Sequence, residues 1–237
     1  MHGPNTTLFD GTDDSELAYD KILGASIALS REIKAATKRK RVGILLPPGK
    51  GGMVANLAVL FAGKIPVNLN FTASREAVQS SIKQADLDKF ITADPFVRKV
   101  PDFPWPPTRD LIFIERILPQ IKKRIIKWIV LSKILPTSLL TKILGIGGSK
   151  GDDEAILLFT SGSSGEPKGV PLSHRNLLAN VTQFGSRLNL PSDAKLLGCL
   201  PLFHSLGCTV TLWFPAIEGI DLVTFPTPLD NKRLAEL

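Results

Sequence analysis

The 237-residue chain is 22% charged and 43% apolar, a balance that excludes a disordered protein and supplies enough material for a sizeable core. Its net charge of +7 is local: residues 116–144 hold seven basic side chains and no acid, leaving 22 basic and 22 acidic residues elsewhere. With only Trp128 beside those cations and no nucleic-acid motif, nucleic-acid binding is not indicated. Two cysteines, Cys199 and Cys208, exclude a disulfide framework and read as reduced core residues in apolar surroundings. No basic-then-apolar leader opens the chain and no uncharged run reaches the ~18 residues of a membrane span, so a cytoplasmic location is expected.

In chain order, a helix is predicted from a cap at Asp13 or Asp14 to about residue 38, with Leu17, Ile22, Ile27, Leu29 and Ile33 as its apolar positions. A strand over 41–46 ends at Pro47-Pro48-Gly49, a buried helix covers 53–62, and a second strand covers 65–69. Ser74 is the expected N-cap of a helix reaching residue 84, followed by short strands over 90–93 and 111–114. The proline-stiffened loop 101–107 separates those two strands. A basic, apolar helix is expected over 121–135, between Pro119 and Pro136, with 145–148 as a linker. After it come a buried strand over 155–159, a helix over 173–187, a strand over 195–200, an apolar helix over 205–214 and a strand over 219–225. A further helix begins near the end of the sequence. Strand–helix alternation with continuously apolar strands predicts an α/β fold of parallel-sheet layers flanked by helices.

Directly after the strand over 155–159 stands Thr160-Ser161-Gly162-Ser163-Ser164-Gly165-Glu166-Pro167-Lys168-Gly169. Four small hydroxyl residues and three glycines surround one lysine, so backbone N–H groups, hydroxyls and an ammonium can converge on a compact polyanion such as a triphosphate. Glycine permits the close backbone approach that this needs. The Walker pattern is excluded, because Lys168 is followed by Gly169 rather than Ser or Thr. A flexible linker has similar composition, but a buried strand before and a capped helix after argue against one.

About forty residues later, Leu200-Pro201-Leu202-Phe203-His204-Ser205-Leu206-Gly207 presents an aromatic ring and an imidazole at a helix start. It lies past a strand's carboxyl end, where open α/β sheets place ligands. By itself a single histidine in such a place is more often structural than functional.

These two segments resemble the adenylate-forming enzymes, the superfamily of acyl-CoA synthetases, luciferases and peptide-synthetase adenylation domains. Residues 160–169 fit that superfamily's Ser/Thr- and Gly-rich signature at every fixed position, and Pro201 to Gly207 fits its next motif at the expected distance. The resemblance implies that Thr160, Ser161, Gly162, Ser163, Ser164, Gly165, Lys168 and Gly169 hold ATP phosphates while a carboxylate attacks the α-phosphorus. It also implies that Phe203, His204 and Gly207 line the acyl and adenylate pocket. No general base is implied, because a carboxylate is already ionised near neutral pH.

Val42-Gly43-Ile44-Leu45-Leu46-Pro47-Pro48, the run 65–73 and Phe225-Pro226-Thr227-Pro228-Leu229-Asp230 are similar to one subfamily. This is the acyl-[acyl-carrier-protein] synthetase part of bifunctional 2-acylglycerophosphoethanolamine acyltransferases. That resemblance implies a long-chain fatty acid, ATP with Mg2+, and the thiol of an acyl carrier protein (or CoA) as acceptor, linked to lysophospholipid re-acylation. Other acyl-CoA or aryl-CoA ligases share both motifs and stay open as alternatives. The resemblance further implies a Tyr-Gly-x-Thr-Glu-type motif whose acid helps hold Mg2+, a ribose-binding Asp, and a later small domain carrying a catalytic lysine. None of these occurs in the sequence. Residues 1–237 are therefore expected to be a truncated N-terminal portion of an AMP-binding adenylation domain, with no complete catalytic set, no metal ligands and little turnover alone.

Wound as a helix, 121–135 sets Lys122, Lys123, Arg124, Lys127 and Lys133 on one arc and Ile121, Ile125, Trp128, Ile129 and Leu135 on the other. Ile126, Val130, Leu131 and Ile134 intrude on the basic arc. Three readings stay open. The segment can meet an anionic membrane peripherally, on its inner face, through Lys122, Lys123, Arg124, Lys127, Trp128 and Lys133; it can dock an acidic carrier protein; or it can be a packed helix with solvated lysines. On the first reading the chain could be a non-catalytic lipid-surface module.

Overall fold

The computed structural model describes residues 6–146, 148–160, 166–191 and 193–237. The chain opens with a hairpin, β1 (Thr7–Asp10) and β2 (Ser15–Ala18), then α1 (Tyr19–Ala36), β3 (Arg41–Ile44), α2 (Lys50–Phe61), β4 (Ile65–Asn68) and α3 (Arg75–Gln84). It continues through β5 (Phe90–Thr92), α4 (Asp94–Lys99), β6 (Leu111–Phe113), α5 (Ile114–Ile117), α6 (Lys122–Ile134) and α7 (Thr137–Leu144). The last part holds β7 (Glu154–Thr160), β8 (Lys168–Ser173), α8 (His174–Arg187), β9 (Lys195–Gly198), α9 (Ser205–Gly207), a π-helical turn at Cys208–Trp213, α10 (Phe214–Glu218), β10 (Asp221–Thr224) and α11 (Asn231–Glu236). No helix of the described residues is long and apolar enough to cross a membrane.

The strands form two sheets, ordered β6-β5-β3-β4-β7-β8 and β2-β1-β10-β9. All pairings are parallel except β7–β8 and β1–β2, so each sheet has one antiparallel strand at an edge. The six-stranded sheet is covered on both faces, as its strands show: Ile156 and Leu158 of β7 join one core with α1 and α2, while Leu157 joins another with Val78 of α3. Burial on both sides is why these strands read as continuous apolar runs. The first core also takes Leu8 and Leu222 from the four-stranded sheet, so one apolar body joins both sheets through α1 and α2.

The predicted α/β fold is present, with differences that have physical reasons. The first helix starts at Tyr19 rather than after Asp13 or Asp14, because Ser15–Ala18 pairs antiparallel with β1. Asp13 instead forms an ion pair with Lys50, and Asp14, at φ +52°, forms the turn of the hairpin and pairs with Arg233. The apolar helix over 205–214 is broken into α9, the π-helical turn and α10, and runs on to Glu218. Pro215 has no N–H to donate back along the helix, and the backbone widens just before it. The strand after it begins at Asp221, since Gly219 is the left-handed cap of α10. Ser74 caps α3 as expected, its side chain accepting from the Ala77 N–H at 3.3 Å. Strand β8 was not foreseen; it is exposed at Lys168, Gly169, Val170 and Pro171 and follows no buried pattern.

One buried acid ties the two sheets together. Asp10, at the carboxyl end of β1, is 6% exposed, and its carboxylate accepts the Lys50 N–H at the start of α2 (3.1 Å) and the Thr12 N–H (3.0 Å). A carboxylate at a helix N-terminus satisfies an orphan donor and the helix dipole together. Gly49 permits the contact: its φ is +143°, and a Cβ there would stand 2.7 Å from Asp10 Oδ2. Replacing Asp10 by Ala should lower unfolding stability by about 1–2 kcal/mol, read as a lowered urea midpoint at unchanged slope. Asp13→Ala, which removes a half-exposed ion pair on the same turn, should cost less than about 0.5 kcal/mol.

Candidate functional site

The parallel strands put several turns on one edge. Strands β3, β4, β5, β6 and β7 all end on the same side of the six-stranded sheet. The helix after β3 packs on one face and the helix after β5 on the other, as shown by Val54 and Phe96 lying in different cores. Adjacent strands whose connections part in this way leave a crevice at their carboxyl ends, the usual ligand position in open α/β sheets.

The lysine-bearing hairpin sits on this edge, at the end of β7. Thr160 and Lys168 are cross-strand partners, so their side chains leave the same face of the β7–β8 ladder at its end. Lys168 is exposed and has no acid within ion-pair distance among the described residues. Helix α3 holds the returning arm. The Ser80 hydroxyl donates to Glu166 Oε1 at 3.1 Å, and Gln84 Nε2 donates to the Pro167 carbonyl at 2.9 Å. Gly169 lies against the Phe159 ring, where a Cβ would approach to 3.3 Å. Ser161, Gly162, Ser163, Ser164 and Gly165 lie outside the described residues. Ser173 closes the unit by capping α8 with a reciprocal box to Asn176.

The second predicted segment arrives from the other sheet. Leu202 is buried where a Cβ on Gly52 of α2 would meet it at 2.7 Å, so α2 receives both Asp10 and this turn. The Phe203 ring packs edge-to-face on Phe71 with centroids 5.0 Å apart, and Phe71 packs likewise on Phe96 at 4.9 Å. His204 is exposed and precedes α9, its carbonyl accepting the Cys208 N–H at 2.7 Å. Gly207 does not reach the surface: it is buried, and a Cβ would stand 2.1 Å from the Pro201 carbonyl oxygen. Packing of the turn accounts for this glycine.

A cavity of about 610 Å³ opens in the crevice. Leu46, Pro47, Val54, Phe71, Phe96 and Ile114 line its apolar wall, and Asp13, Lys50, Lys99 and Glu115 belong to its boundary. Sequence reasoning assigned none of these residues to a site. The nearest signal was Pro47-Pro48-Gly49, a rigid turn leading from a buried strand into a glycine-rich helix start. A buried amide pair braces the same edge: Asn68 Nδ2 donates to Asn56 Oδ1 at 2.8 Å and Asn56 Nδ2 to Asn68 Oδ1 at 3.1 Å. Among the described residues no three His, Cys, Asp or Glu cluster to hold a metal ion.

In the basic segment the arc of Ile121, Ile125, Trp128 and Ile129 faces inward, while Lys122, Lys123 and Lys127 stay outside. Trp128 is only 7% exposed and Ile121 is buried, because that arc packs on α1. Arg124 pairs with Glu32 and Lys133 with Asp20, both on α1, and Arg116 pairs with Asp94. Trp128 is thus sealed against the core, and Arg124 and Lys133 are engaged in fixing the helix. Lys122, Lys123 and Lys127 remain exposed without an acid partner among the described residues.

The family model described as "AMP-binding enzyme" matches residues 3–237. Among curated relatives, a long-chain-fatty-acid–CoA ligase of Bacillus subtilis (strain 168) is 25% identical over 93% of this chain and 44% of its own length. A long-chain-fatty-acid–CoA ligase of Rattus norvegicus is 28% identical over 79% of this chain and 29% of its own. The chain therefore spans less than half the length of these relatives. Among solved structures, fatty acyl-adenylate ligase from L. pneumophila, in complex with acyl adenylate and pyrophosphate, superposes with a TM-score of 0.73 at 24% identity, over 98% of this chain and 38% of that one. The N-terminal domain of FACL13 from Mycobacterium tuberculosis gives 0.73 at 19% identity, over 99% and 56%. Both likenesses speak for the fold.

The turn behind His204 can be probed through the cysteine that follows it. Burial pushes the Cys208 thiol up to about 12, so at pH 8 its thiolate is scarce and the native protein should take alkylating reagent at Cys199 only. Gly207→Ala should destabilise the fold by about 1–3 kcal/mol and make Cys208 reactive without denaturant, with both effects read by urea titration and peptide mass spectrometry.

Proposed function

Because the chain belongs to the AMP-binding enzyme family, we propose that it supplies the phosphate-binding and acyl-binding half of an ATP-dependent acid–thiol ligase. The observation that carries this reading is the β7–β8 pair, which brings Thr160 opposite Lys168, a lysine with no acid partner among the described residues, at the carboxyl edge of the sheet. The arrangement fits a polyphosphate, since a hydroxyl residue and a lysine with no acid partner among the described residues flank the Ser- and Gly-rich sequence 161–165. ATP, when bound, supplies the electrophilic phosphorus and pyrophosphate as leaving group. Lys168 offsets phosphate charge, and α3 keeps the hairpin at a fixed height above the crevice. A divalent cation such as Mg2+ would enter with the phosphates rather than on a preformed cluster of acids.

The cavity favours a carboxylate with an apolar tail. Its wall is aliphatic and aromatic, and Phe71 links it to Phe203 beside the exposed His204. We place the acyl group of a long-chain fatty acid along this wall, with Phe203 and His204 near the reacting end. The acceptor is a thiol of CoA or of an acyl carrier protein, in the cytoplasm. The segments 42–48, 65–73 and 225–230 favour the carrier-protein form and a link to lysophospholipid re-acylation. Because the chain spans less than half the length of the two ligase relatives, nucleotide binding rather than complete adenylation is the activity expected of these 237 residues alone.

Isothermal titration with ATP tests the reading. Lys168→Ala should weaken nucleotide binding roughly 10- to 100-fold, as expected for a lost hydrogen bond to a charged group, with the melting temperature unchanged. Pyrophosphate release from ATP and a long-chain fatty acid should stay at background for the 237 residues alone. No ATP binding by the wild-type chain, or equal binding by the variant, would refute the assignment.

A further inference from the structure

We infer that the outer face of the α6–α7 unit docks on an anionic lipid bilayer. The face is defined by what packing leaves over. Helix α6 lies on α1, with Ile129 filling the space where Gly24 lacks a Cβ and Trp128 closing the core. At about 100° per residue, the opposite side carries Ile126, Val130 and Ile134 at consecutive i,i+4 positions, and these are 52%, 48% and 70% exposed. Helix α7 repeats the pattern. Leu140 and Leu144 pack on the core, while Leu139 and Ile143 are 42% and 53% exposed. Lys122, Lys123 and Lys127 flank the α6 stripe and Lys142 that of α7, with no acid in ion-pair range among the described residues.

Charge complementarity selects the occupant. A neutral apolar partner would leave four ammonium groups unmatched, and a folded acidic partner would leave three exposed β-branched side chains of α6 in or near water. An anionic bilayer meets both demands: the isoleucines and valine enter the headgroup boundary while the lysine stems lie along it with their ammonium groups toward lipid phosphate. The segment's own acids do not oppose this, because residues 116–144 contain none. The proposal needs neither nucleotide nor fatty acid, so it stands or falls separately from the ligase reading.

Co-sedimentation with vesicles decides it, using equimolar phosphatidylcholine and phosphatidylglycerol against phosphatidylcholine alone. Binding is expected only to the anionic vesicles, and it should be largely lost in about 0.5 M NaCl. Lys122→Gln with Lys123→Gln and Lys127→Gln should weaken it roughly tenfold or more. Ile126→Ser with Val130→Ser and Ile134→Ser should do the same with an unchanged melting temperature, since these side chains face outward. Absence of binding to anionic vesicles at low salt would overturn the proposal. So would undiminished binding by both variants, or capture of a purified acidic carrier protein that the lysine variant abolishes while vesicles show none.

Discussion

The structure depends on the seat that one carboxylate makes for the start of α2. Asp10 ends a strand of the four-stranded sheet, and the helix it caps belongs to the six-stranded sheet. The interaction therefore sets the height of one sheet's carboxyl edge against that of the other. It works only because Gly49 turns with φ +143°, which brings the Lys50 N–H under the carboxylate without a Cβ in the way. A charged acceptor this deeply buried would be costly without its donors. The two backbone N–H groups make the contact specific as well as tolerable, and the turn carrying Phe203 and His204 rests on the same helix.

From that seat the site follows by rigid steps. Leu202 enters beside Gly52 on the same helix, so the turn carrying Phe203 and His204 is indexed to α2. The Asn56–Asn68 amide pair fixes α2 to the end of β4, and three residues further on Phe71 receives the Phe203 ring. Both asparagines are essentially fully buried, so a shift of α2 along β4 would strand amide groups away from water. Such a penalty falls on wrong arrangements more than it rewards the right one. The aromatic line from Phe203 through Phe71 to Phe96 thus stands on strand ends and a braced helix.

What the sequence made legible was whatever repeats or caps locally. The buried strands, and Ser74 and Ser173 as caps, could be read from neighbours within a few positions. Strand β8 was not legible, because its partner on one side is β7 and on the other is solvent, leaving Lys168 to Pro171 without an apolar rhythm. Asp13 and Asp14 looked like helix caps until the hairpin claimed them, since a cap and a turn use the same short acids. The cavity was out of reach for a different reason. Its wall draws on residues from Leu46 to Ile114, which share no period and meet only because β3 and β5 are neighbours.

In the basic segment the arcs drawn by charge persist, but charge along the helix does not say which of them meets the core. Both arcs of α6 contain large apolar residues, so amphipathicity alone gave no sign of which one faced the core. Partner acids did. Glu32 and Asp20 stand on α1 and take Arg124 and Lys133, and the ring of Trp128 fills the gap beneath. Ion pairs across a packed helix interface add little stability, but the wrong face would have left those acids unmatched. Once α6 is docked, its outer surface is whatever remains: β-branched side chains interleaved with lysines that have no acid partner among the described residues. A soluble surface helix normally presents polar residues outward. Here three of the outward positions on a helix of 13 residues are isoleucine or valine. That composition leaves apolar side chains against water, and it is the packing of α6 on α1, rather than the helix's own pattern, that selects which side bears them.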